Sequence, residues 1–120
     1  MIIALWSING LLAAVFAAAG IVKIATPYER LKTRGMTWVE EYTPAVVRAI
    51  GVAELLGAVG LIVPRLLNVA PILTPIASLC LAATMAGALA THVRRKEPYA
   101  PALILGLACL ASALLGFVAH

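Results

Sequence analysis

Four apolar runs, at residues 2–22, 45–63, 72–90 and 102–119, fill most of a 120-residue chain, and the first and last contain no charged side chain. At about 1.5 Å per helical residue, each comes close to crossing a hydrocarbon layer about 30 Å thick. The composition agrees: 63% of residues are hydrophobic, 12% are charged and none is Asp, with a mean hydropathy of +1.05. A soluble core of this size could not hide that much apolar surface. The expected fold is therefore all-α, a transmembrane four-helix bundle with antiparallel up-down neighbours. It forms a single domain over residues 1–120, with spans at about 2–25, 44–63, 67–92 and 100–119. The first run has no basic n-region, and its apolar core is too long for a signal peptide, so it is expected to be retained.

Lys and Arg orient the spans, because short basic loops stay on the cytoplasmic side. The first connection holds Arg30, Lys32 and Arg34, and the third holds Arg94, Arg95 and Lys96, whereas the second holds only Arg65. The expectation is an integral protein of the cell (inner) membrane with both termini outside and loops 26–43 and 93–99 cytoplasmic. The net charge of +4 then faces anionic membrane lipids, each basic residue contributing about 1 kcal/mol near the surface. Nucleic acid is not an expected partner.

Pro27 disfavours helix at Thr26 and ends the first span. The stretch 28–42 mixes charges with Leu31, Met36, Trp38 and Val39. It reads either as an interfacial connection with Trp38 and Tyr42 in the aromatic belt or as a lid over the mouth of the bundle. Thr43 followed by Pro44 supplies an N-cap and a first-position proline. Val63-Pro64-Arg65 marks the expected end of the second span, and Pro75 is a candidate kink in the third. Small residues at helix-packing spacing, including Gly10, Ala14 and Ala18, then Ala53 and Gly57, then Ala108, Ser112 and Gly116, point to close backbone approach. A homodimer through such a stripe is compatible with the pattern.

Within this apolar frame, Glu54 is the costliest residue. An ionised side chain at the centre of a membrane helix costs roughly 2.5 to 3.5 kcal/mol on insertion scales, so such groups face a bundle interior and take a partner. Lys23, Arg48 and His92 lie near the same membrane boundary and are its candidate partners. Lys23 and Arg48 can instead snorkel to the headgroups, and His92 can be simply the last residue before a solvated loop. Burial favours the neutral form of a carboxyl and a cationic neighbour favours the charged one, which leaves the charge state of Glu54 open. A carboxyl held between those influences suits proton exchange, and His92 is a natural companion for it. Asn9, Asn68, Thr84 and Thr91 could orient a polar head group. Cys80 and Cys109 share no CxxC spacing and read as buried, inert thiols. No dinucleotide fingerprint, P-loop or zinc-ligand spacing is present.

The stretches Gly20-Ile21-Val22-Lys23, Gly35-Met36-Thr37-Trp38, Ile50 through Glu54 to Pro64, and Met85-Ala86-Gly87-Ala88 through His92 to Glu97 resemble the DoxX-like family of small four-helix membrane proteins. The family name derives from a thiosulfate:quinone oxidoreductase subunit, so the resemblance implies quinone-linked or oxidative-stress roles. It places Lys23, Glu54 and His92 at the family's characteristic polar positions. An added domain and a cysteine motif of the kind thiosulfate handling would call on are not expected in this chain.

The leading expectation is a bundle that binds a lipophilic small molecule, a quinone being one candidate, in an intrabundle pocket with redox- or proton-linked chemistry. Glu54, His92 and Lys23 are the candidate catalytic residues, and Arg48, Asn9, Trp38 and Thr91 the candidate ligand-binding ones. No metal site and no intrinsic cofactor are expected, and electrons would come from a partner or the substrate. One alternative is a cofactor-independent membrane isomerase, cyclase or hydrolase with Glu54 as acid or base. Another is a non-catalytic subunit or scaffold that docks a membrane or cytoplasmic protein.

Overall fold

The computed structural model describes residues 2–118. Four long helices, α1 (Ile2–Ala25), α3 (Pro44–Leu67), α4 (Leu73–Arg94) and α5 (Ala100–Val118), pack into one bundle, and no strand occurs among the described residues. A short helix, α2 (Tyr28–Thr33), and a 3-10 helix (Thr37–Glu41) form the first connection. Sequence neighbours pack against each other, α1 on α3, α3 on α4 and α4 on α5, and α5 returns to touch α1. Each long helix is apolar and long enough to cross a membrane. The expected end of the last span, at 119, lies outside the described residues.

Backbone chemistry explains the boundaries. The Thr43 side chain accepts a hydrogen bond from the Val46 N–H at 3.2 Å, with Pro44 in the first turn. α3 does not stop at Val63. It continues through Pro64 to Leu67 and is capped by Asn68 in the left-handed region at φ 54°. Pro64 disturbs only one ladder bond near the helix end, and Asn tolerates the left-handed cap. α4 begins at Leu73 rather than near 67. Pro75 therefore falls in its first turn, where a missing N–H leaves no bond unmade, and no kink is required of it. Gly35, at φ +87°, makes the turn between α2 and the 3-10 helix that other residues rarely adopt.

The core is a column of Leu12, Phe16, Ala58, Leu61, Leu81, Met85 and Cys109. Leu11, Leu56, Ile104 and Leu114 point outward from α1, α3 and α5, as expected of lipid-facing positions. Glycines set how closely the helices approach. A Cβ on Gly20 would lie 2.6 Å from the Gly51 carbonyl oxygen, and one on Gly51 would lie 2.9 Å from the Gly20 oxygen, so α1 and α3 touch backbone to backbone. Cys109 is buried, whereas Cys80 is exposed on the outer face of α4. The expectation that both thiols are buried is thus corrected: Cys80 sits on the side of α4 turned away from Leu81 and Met85.

The first connection is folded over one end of the bundle. Leu31 and Val39 are buried with Val47 of α3, and Met36, Trp38 and Tyr42 pack against them. The Tyr28 hydroxyl reaches the carbonyls of Val39 and Tyr42, each at 2.8 Å. These contacts favour the lid reading of 28–42 over a loose interfacial link.

Candidate functional site

The Gly20–Gly51 crossing aligns the charges. Lys23 lies one turn after Gly20 on α1, Glu54 one turn after Gly51 on α3, and the two helices run antiparallel. Helical side chains lean toward their own N-terminus, so Lys23 leans deeper into the bundle while Glu54 leans toward the lid, and they meet. Lys23 Nζ lies 2.7 Å from Glu54 Oε1, with the two side chains 9% and 3% exposed. Lys23 does not snorkel.

Around this pair the helices and the lid enclose a cavity of about 460 Å³. Its polar wall is made of Lys23, Glu54, Trp38, Tyr42, Thr91 and His92, and its apolar wall of residues such as Ile50, Met85, Ala88 and Leu105. Lys23 Nζ also lies 5.8 Å from the Trp38 ring centroid, within cation–π range. Trp38 meets Tyr42 and His92 edge-on, at 5.9 and 6.5 Å between ring centroids. Thr91 donates to the Gly87 carbonyl at 3.0 Å, so the Tyr42 hydroxyl, 2.7 Å from Thr91 Oγ1, is the donor to it.

His92 joins the cavity to the surface. Its Nδ1 is 3.0 Å from Glu97 Oε1, while Glu97 Oε2 accepts from Arg95 Nε and from Thr37 of the lid, each at 3.0 Å. Hydrogen bonds from Arg95 and then His92 hold the Glu97 carboxyl below its ordinary range, and the same carboxylate raises Arg95 further. Because an ionised carboxylate only accepts, His92 Nδ1 carries a proton toward Glu97, and Nε2 is the ring atom left for exchange. Arg94 pairs with Glu41 of the lid at 3.1 Å.

Five of the sequence-derived candidates, Lys23, Glu54, His92, Trp38 and Thr91, thus converge on the cavity. Arg48 and Asn9 do not. Arg48 is exposed because the buried face of α3 runs through Val47, Gly51, Glu54, Ala58 and Leu61, and residue 48 is turned about 100° from it. Asn9 is fully buried but lies fourteen residues before Lys23, about 21 Å along α1. There its Nδ2 donates to the Leu61 carbonyl at 3.1 Å, and its Oδ1 accepts from Ser112, which also meets Ser78 at 2.9 Å. Asn9 is thus part of a structural network joining all four long helices. Thr84 lines the cavity with its hydroxyl tied to the Cys80 carbonyl at 3.0 Å, and Asn68 only caps α3. Tyr42 and Glu97 were absent from the candidates. The lid reading of 28–42 was the signal that pointed toward Tyr42, and the family-like stretch through His92 ended at Glu97.

No group of three or more potential metal ligands occurs among the described residues. The fold and cavity together define an integral membrane four-helix bundle with a buried ion pair in an intrabundle pocket. A profile of the DoxX-like family matches residues 7–115, and the chain belongs to that family. Searches of curated proteins and of solved structures return no match.

Proposed function

We propose that the cavity binds a lipophilic small molecule bearing carbonyl or hydroxyl oxygens, with a quinone as the leading candidate, and exchanges protons with it. The single observation that carries this reading is the Glu54 carboxylate. It lies on the cavity wall, 3% exposed and paired with Lys23 at 2.7 Å, and an ionisable pair kept inside a membrane bundle marks a functional site by default. The volume of about 460 Å³ falls within the roughly 300 to 1,000 Å³ of small-molecule sites, as does the pattern of an apolar wall with few polar groups.

In this reading Lys23 donates to a ligand oxygen, Trp38 packs against a ring, and Glu54 exchanges a proton with the bound molecule. His92 resupplies that proton from the lid-side surface, for which the Arg and Lys residues there favour the cytoplasmic side. Reduction of a bound quinone consumes two electrons and two protons. The bundle supplies the proton route, and the electrons come from a redox partner protein.

The test is mass spectrometry of lipid extracts from gently purified protein, together with quenching of Trp38 fluorescence by a benzoquinone in a Trp6→Phe background. Retained quinone and saturable quenching are expected, with Glu54→Gln weakening binding while the bundle stays folded. Absence of both signals would refute the reading. Loss of folding in Glu54→Gln with quinone binding intact in the remaining folded fraction would favour a scaffold whose ion pair serves assembly.

A further inference from the structure

The walls of the cavity are uneven. Away from the lid, α3 and α4 are pressed together: a Cβ on Gly57 would lie 2.6 Å from Leu81 Cδ2, and one on Gly60 would lie 2.7 Å from Ala77 Cβ. The α1–α3 seam is closed at Gly20 and Gly51. Toward the lid the α3–α4 seam is different. Ala83 and Gly87 of α4 line the cavity and are exposed at the same time, and a Cβ on Gly87 would meet nothing within 4 Å. Ile50 and Glu54 form the facing wall on α3. The lid residues Trp38 and Tyr42 line its end, so its free side faces sideways, into the apolar belt of the bundle.

We infer that the cavity is loaded laterally from the bilayer through this gap between α3 and α4. Its ligand is an amphiphile whose polar head lies against Lys23 and Glu54 while an alkyl or isoprenoid chain trails through the gap into lipid. The inference rests on the reading that the cavity binds a lipophilic oxygen-bearing molecule, and it adds the route and the ligand class. A long isoprenoid chain and a ring together outgrow about 460 Å³, and an apolar chain gains little by leaving the lipid tails. The absence of side chains beyond Cβ at Ala83 and Gly87 keeps the gap wide enough for a chain. The head, by contrast, finds its polar partners inside, at Lys23 and Glu54.

Gly87→Leu narrows the gap without repacking, since its added atoms begin in open space and Leu is the better helix former. Gly10→Leu is the control, because Gly10 on α1 also has nothing within 4 Å and lies at the far end of the bundle from the lid. The full chain in phosphatidylcholine nanodiscs, in the Trp6→Phe background, is titrated with a dimethoxymethylbenzoquinone carrying either a decyl chain or no chain. Gly87→Leu is expected to weaken binding of the decyl compound by about tenfold or more by blocking the path of its chain, and to weaken the chainless compound clearly less. Ala83→Leu is expected to act in the same direction, and Gly10→Leu to change neither. Unchanged decyl binding in both gap variants, or equal loss of both compounds, overturns the lateral route. Failure of the parent to bind either compound removes the underlying cavity reading, and this inference with it.

Discussion

Replacing Lys23 by Met removes the cation from the buried pair and leaves Glu54 with no charged partner among the described residues. In soluble proteins, breaking a buried pair costs about 3 to 5 kcal/mol, because the remaining charge is uncompensated. At 9% and 3% side-chain exposure, solvent offers little relief. The bilayer lowers the figure, because a chain unfolded within lipid also holds its polar groups in a poor solvent and finds other partners, so membrane couplings come out smaller. A coupling of about 1.5 kcal/mol or more, roughly a tenfold change in the folding equilibrium, is therefore expected. The assay is a double-mutant cycle of Lys23→Met, Glu54→Gln and the pair, read by equilibrium unfolding in sodium dodecyl sulfate against mild detergent. Each single variant should be destabilised, and the double variant should recover most of the loss of Lys23→Met. Additivity within about 0.5 kcal/mol, the range of independent sites, would refute energetic coupling of the two residues.

Two further outcomes follow from the same geometry. Gly51→Ala forces a Cβ against the Gly20 backbone oxygen, whereas Gly57→Ala meets only the Leu81 side chain. The first should therefore cost about 1 to 3 kcal/mol and displace the Lys23–Glu54 pair, and the second clearly less, as measured by the same unfolding assay. Glu97 is held below its ordinary range by Arg95 and His92. A lowered folded-state value contributes stability that is present above the unfolded value and lost as pH falls through the folded one. Proteolysis of the lid should therefore stay slow through neutral pH and accelerate only below the ordinary carboxylate range near 4. Glu97→Gln should make it faster at neutral pH and flatten that dependence; an unchanged acid profile in the variant would contradict the assignment.

Much of the fold was legible because a bilayer imposes one length and one hydropathy on every span. The four long helices, the Thr43–Pro44 start of α3 and the bundle class all follow from that constraint together with local capping chemistry. Glu54 stood out for the same reason, as a charge in a segment that should exclude it. Boundaries at prolines were less legible. Whether Pro64 ends a helix or merely weakens its last turn, and whether Pro75 kinks α4 or sits in its first turn, depends on where the helix begins and ends.

The sequence by itself determined that this is a four-helix membrane bundle, that it belongs with the DoxX-like proteins, and that Glu54, Lys23 and His92 are its conspicuous polar residues. Only the tertiary structure decided which of them meet. The contact of Gly20 with Gly51 fixes the register of two antiparallel helices, and that register selects Lys23 over Arg48 as the partner of Glu54. It also separates Asn9 from the cavity and folds the lid so that Trp38 and Tyr42 complete the wall. The physical reason is that hydropathy specifies depth along the membrane normal, whereas rotation about each helix axis is settled by packing between helices. On α3, one residue and about 100° separate the buried Val47 from the exposed Arg48.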